Sequence, residues 1–177
     1  MFAWLSRRSE RRRNARELYG SIVTQARLPT FYTAWGVPDT VEGRFELLVV
    51  HVCVLLERLS QEGREGATLA RALSETFIAD MDANMREMSF SDLAVPREIK
   101  RAAAALFDRH GAYRPALAAR QPELLQRALE AQLAYLGAGG LDAGRIAHYM
   151  LEAADGVGGQ AGSQLLAGRL GWPVPMA

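Results

Sequence analysis

The sequence predicts an all-α fold, a single-domain bundle of about six to seven helices around a central apolar helix at residues 40–62. Three observations lead there. Apolar residues recur at spacings of three and four in one segment after another, the period of a helix with one buried face. Prolines and glycine clusters separate those segments, and no stretch sustains the apolar–polar alternation of a half-buried strand. At 177 residues one core suffices, because a chain of this size buries roughly 70% of the surface its unfolded form exposes.

The elements follow in order. From Ala15, the residues Leu18, Tyr19, Ile22, Val23 and Ala26 share a face, and the first helix is expected to end near Arg27. Residues 1–14 before it read as a basic arm, flexible or laid on a membrane surface, preceding a helical domain over 15–177. The aromatic loop "LPTFYTAWGVPDT" is bounded by Pro29 and Pro38, and Asp39 with Glu42 three residues on is a capping-box arrangement for the second helix. That helix is apolar on nearly every face from Phe45 to Leu59, which makes it the central one.

A third helix over 67–90 carries Ala70, Leu73, Phe77, Met81, Met85 and Met88 in one stripe. Pro96 suits the first turn of a fourth, with Ile99, Ala103, Leu106 and His110 on a side, and "HGAYRP" is expected to interrupt it. Pro122 opens a fifth, and a sixth spans about 143–155. "GVGGQAGSQLLAG" is too glycine-rich to predict order, and "GWPVP" reads as a loose end.

The formal charge of +1 conceals an asymmetry: Arg7, Arg8, Arg11, Arg12, Arg13 and Arg16 against Glu10 give +5, leaving −4 for the rest. A secretory signal places its basic residues before an apolar core, and here the order is reversed. The longest apolar run, "LLVVHVCVLL", lies between Glu46 and Glu57 and falls well short of the roughly 20 residues that cross a bilayer. Phe2 and Trp4 beside Arg7, Arg8, Arg11, Arg12 and Arg13 suit an anionic membrane surface or RNA, and equally a basic tail with no partner. Cys53 is the single cysteine and sits in the apolar run, which excludes an internal disulfide and fits a buried thiol in a reducing compartment.

Metal, cofactor and catalytic sets find little support. "DMDAN" places Asp80, Asp82 and Asn84 as a calcium loop would, but Met85 stands where that loop needs glycine and Ser91 where it needs glutamate. Asp80 and Asp82 point about 200° apart around a helix, so they cannot form an acid–base pair by themselves. Asp82 one turn before Arg86 suits an ion pair. His51 and Cys53 diverge on a helix, and His110, His148 and Met150 match no ligand spacing. There is no GxSxG elbow, and "GVGGQAG" follows no strand. No cofactor is expected. The rings of Phe31, Tyr32 and Trp35 beside Gly36 either close over the core or anchor a partner.

Three segments carry a resemblance: "LYGSIVTQARLPTFYTAWGVPDTVEGRFELLVVHVCVLLERL", "LSETFIADMDANMREMSFSDLAVPREIK" and "AALFDRHGAYRPAL". Over residues 18–117 they are similar to the ubiquinol-cytochrome c chaperone family in its alphaproteobacterial form, the second segment most specifically. The resemblance implies a non-enzymatic assembly factor that binds newly made cytochrome b during biogenesis of the cytochrome bc1 complex. It implies a small partner subunit, work near the ribosome, and a cytoplasmic location, peripheral on the inner face of the inner membrane. It makes Phe31, Tyr32, Trp35, Gly36, Asp80, Asp82, Asn84, Arg86, Glu87, Asp92 and Pro96 the signature positions for contact with client or partner. DNA is not expected as a partner. The alternative from the residues alone is a helical enzyme or cofactor carrier using the acidic flank of the third helix.

Overall fold

The structure, a computed structural model, describes residues 2–87, 94–137 and 140–176, and side chains from Ser6 onward. Among the described residues there are eight α-helices, one short 3-10 turn (Ala134–Leu136) and no strand. The helices are α1 (Phe2–Ala26), α2 (Pro29–Thr33), α3 (Val41–Ser60), α4 (Gly63–Glu87), α5 (Val95–Ala119), α6 (Pro122–Leu133), α7 (Ala143–Gly158) and α8 (Gly162–Leu166).

The central helix is α3, as the apolar run predicts. Its side chains from Val49 to Leu56 are all buried, and α1, α4, α5 and α7 pack against it. Each such valine or leucine contributes about 1.5–3 kcal/mol by leaving water, so this run anchors the core. Around α3 the neighbours form a ring, with α1 on α4, α4 on α5, α5 on α6 and α6 on α7. The C-terminal segment bridges the remaining gap: Gln25 on α1 donates to the Pro173 carbonyl at 2.7 Å, and Pro173 lies beside Gly156 on α7.

Several boundaries differ from the sequence expectation. α1 begins at Phe2, not near Ala15, because arginine and glutamate are good helix formers even where no apolar period betrays them. Among its described side chains the buried face starts at Asn14 and Ala15. The cap of α3 is Thr40, whose hydroxyl accepts from the Gly43 N–H at 3.2 Å, while Asp39 instead takes the Arg44 Nε–H at 2.7 Å. The aromatic loop contains the one-turn helix α2, opened by Pro29, since proline's fixed φ suits a first helical position.

α5 does not break at "HGAYRP". It continues through Gly111 and Pro115 to Ala119. Both residues lie on the solvent side, where water can take the carbonyl that Pro115 leaves without a partner, while Tyr113, Ala116 and Leu117 hold the helix to the core. The glycine-rich segment is likewise ordered: Leu165 of α8 is fully buried and Asn14 donates to the Leu166 carbonyl at 2.9 Å.

Candidate functional site

The aromatic segment turns inward. Phe31 and Trp35 are buried and meet edge to face at 5.0 Å, and Phe31 does the same with Tyr149 at 5.1 Å and with His51 at 5.6 Å. His51 is held from both sides. Its Nδ1 lies 2.6 Å from the Leu47 carbonyl, which can only accept, so the proton sits there and Nε2 accepts from the Tyr149 hydroxyl at 2.8 Å. Burial depresses the His51 pKa to about 4 and keeps the ring neutral. Tyr32, half-buried, donates to the Ala26 carbonyl at 2.9 Å. Gly36 has φ +69°, and a Cβ there would lie 2.2 Å from the Gly140 carbonyl oxygen, so glycine is required by both conformation and space.

The acidic stretch on α4 divides its residues. Met81 is buried and Met85 half-buried against the core. Asp80 accepts from the Tyr19 hydroxyl at 2.8 Å and from the Asn84 amide at 3.1 Å, tying α4 to α1. Burial, then the contact with Asp80, raises the Tyr19 pKa above its ordinary value. Asp82 pairs with Arg86 at 3.0 Å, as the i,i+4 spacing predicts. Asn84, Arg86 and Glu87 are exposed, as is Pro96 in the first turn of α5. Asp92 and Met88 lie outside the described residues. The two aspartates are thus committed to different neighbours, and among the described residues no three His, Cys, Asp or Glu side chains gather as metal ligands.

One charged cluster escaped the sequence reading. Glu46, at the border of the apolar run and 2% exposed, receives both Arg109 Nε at 2.6 Å and Arg109 Nη2 at 2.5 Å, and the Tyr135 hydroxyl donates to it at 2.6 Å. This joins α3, α5 and the 3-10 turn after α6. The only sequence signal was a carboxylate at the edge of an apolar helix, and its partner is 63 residues away.

The basic first half of α1 borders a cleft of about 890 Å3. Arg7, Arg8 and Arg11 form one wall and Arg64 with Thr68 of α4 the other, with Asn14, Leu69 and Leu166 between them. Arg12 and Arg13 are exposed elsewhere on the helix, Arg13 within 4.0 Å of Glu10. The side chains of Phe2 and Trp4 are outside the described set. No helix among the described residues is long and apolar enough to cross a membrane.

The model of a family described as Ubiquinol-cytochrome C chaperone matches residues 33–172. The chain is similar to the Cbp3 homolog from Brucella abortus, known as a crystal structure, with a TM-score of 0.82 and 30% sequence identity over 98% of this chain and 97% of that one. No curated protein matches significantly. The match extends through α7 to Trp172, well past the segments in which the sequence shows a resemblance.

Proposed function

The chain belongs to the ubiquinol-cytochrome C chaperone family, and from that premise we propose that it binds newly made cytochrome b and assists assembly of the cytochrome bc1 complex, without catalysis of its own. The proposal extends to a small partner subunit, to work beside the ribosome and to a cytoplasmic location. The family resemblance supports these.

The observation that carries the choice of client surface is the division of the signature residues. Phe31, Trp35 and Gly36 serve the core and Asp80 holds Tyr19, whereas Asn84, Arg86, Glu87 and Pro96 are exposed and Asp82 is partly so. We therefore assign client contact to the outer face of the C-terminal half of α4 and the start of α5. The chemistry suits a membrane-protein client: its cytoplasmic loops carry excess lysine and arginine beside apolar helices, and this end of α4 offers Glu87, and Asp82 one turn before the half-buried Met85, an adaptable apolar contact.

The test is complementation of a strain lacking the gene, read by bc1 content and the b-type haem spectrum. The wild-type gene should restore both, and the pair Asp82→Lys with Glu87→Lys should not, although the purified variant stays folded. An unchanged haem spectrum in the deletion strain would sink the function, and full rescue by the double variant would sink the surface.

A further inference from the structure

We infer that the cleft between the first half of α1 and the start of α4 is a binding site for the phosphate headgroup of an anionic membrane lipid. Three arginines of α1 (Arg7, Arg8, Arg11) face Arg64 of α4 across about 890 Å3, and Glu10 and Glu65 leave the lining at +2. A volume of that size falls within the roughly 300–1,000 Å3 of ligand sites. Guanidinium groups on two walls match phosphate oxygens in paired geometry. The first turn of α4, which supplies Arg64 and Glu65, adds the partial positive charge of a helix start.

The lining also argues for lipid over nucleic acid. Half-buried Leu166, with the buried Leu69 beside it in the lining, gives the cleft a small apolar patch suited to the glycerol and first methylenes of a lipid. Single-stranded nucleic acids are gripped by aromatic stacking beside the charge, and among the described side chains no lining residue is aromatic. The arginines on two separate helices make a concave receptor, which distinguishes this site from a basic helix lying flat on a surface. The inference goes beyond client binding, and its experiment contains no client, so either proposal can fail alone.

The full-length chain is floated with vesicles of phosphatidylcholine, and with vesicles of equal parts phosphatidylcholine and phosphatidylglycerol. Two charge-matched variants are compared: Arg11→Glu with Arg64→Glu, one on each wall, and Arg12→Glu with Arg13→Glu, on the same helix but outside the cleft. Binding is expected only with phosphatidylglycerol. The first variant should lose at least about thirtyfold in affinity, since each basic group near an anionic surface contributes about 1 kcal/mol, and the second should keep most of its affinity. Equal losses in the two variants would show generic charge attraction and overturn the site. Tighter binding to poly(U) than to vesicles would reassign the arginines to RNA. Binding of free glycerol phosphate without flotation would reassign the cleft to a small solute.

Discussion

His51 shows how one residue couples packing to pH. It lies fully buried among Phe31, Tyr149 and Trp172, with both ring nitrogens hydrogen-bonded, and burial disfavours a charged ring there. Folding therefore moves its pKa from 6.5 down to about 4. Between those values the unfolded chain binds a proton that the folded chain refuses, so this contribution is complete above pH 6.5, declines as pH falls toward 4 and is level below. At about 1.4 kcal/mol per pH unit the loss is roughly 3 kcal/mol. Urea unfolding of wild type and His51→Gln at pH 7 and pH 4 should show this as a smaller pH difference in the variant, whatever the substitution costs at neutral pH. Equal differences would mean that His51 already titrates normally in the fold.

At the scale of elements, the start of α3 separates two capping readings that the sequence leaves adjacent. Thr40 takes the Gly43 N–H, whereas Asp39 is exposed and bound to Arg44. Thr40→Ala should cost about 1 kcal/mol, the usual value of a hydroxyl cap, and Asp39→Ala should leave the unfolding midpoint unchanged; the reverse ranking would restore Asp39 as the cap. The same contrast explains what the sequence made legible. Apolar periodicity located α3, α4, α6 and α7 because their buried faces repeat, and the i,i+4 spacing of Asp82 and Arg86 was enough to pair them. It could not see the first half of α1, which among the described side chains buries nothing before Asn14, nor the passage of α5 through Pro115, decided by tertiary packing on Tyr113 and Leu117. Of the site, the sequence flagged the residues "DMDAN" and set Asp80 and Asp82 on different sides of the helix, but not the partner of Asp80, because Tyr19 lies 61 positions away. The wall of the cleft on α4 was invisible for the same reason: Arg64 reads as an isolated charge until α1 lies beside it.

The whole molecule depends on the closing of its ring. α1, α4, α5, α6 and α7 succeed one another around α3, and between α7 and α1 the connection is made by residues with no regular secondary structure. Trp172 sets its ring against His51 at 5.1 Å and donates to Ser21 at 3.3 Å, Gln25 donates to the Pro173 carbonyl at 2.7 Å, and Trp35 donates to the Met176 carbonyl at 3.2 Å. Gln160 exchanges two hydrogen bonds with Gly171, at 2.7 and 2.8 Å. With each hydrogen bond contributing about 1 kcal/mol net and part of an indole leaving water, removal of residues 171–177 should cost roughly 4–6 kcal/mol, a large share of the about 5–15 kcal/mol that holds a domain folded. The loss has a signature that simple destabilisation lacks. Without the Trp172 ring, water reaches His51, its pKa rises toward 6.5, and the stability it withholds between pH 6.5 and 4 shrinks accordingly. Denaturant unfolding of the shortened chain, together with a proton NMR titration of the His51 ring, should show both a lower midpoint and a higher pKa. A lower midpoint with the His51 titration unchanged would mean that the segment adds contacts without sealing the core, and that α1 and α7 close the ring by themselves.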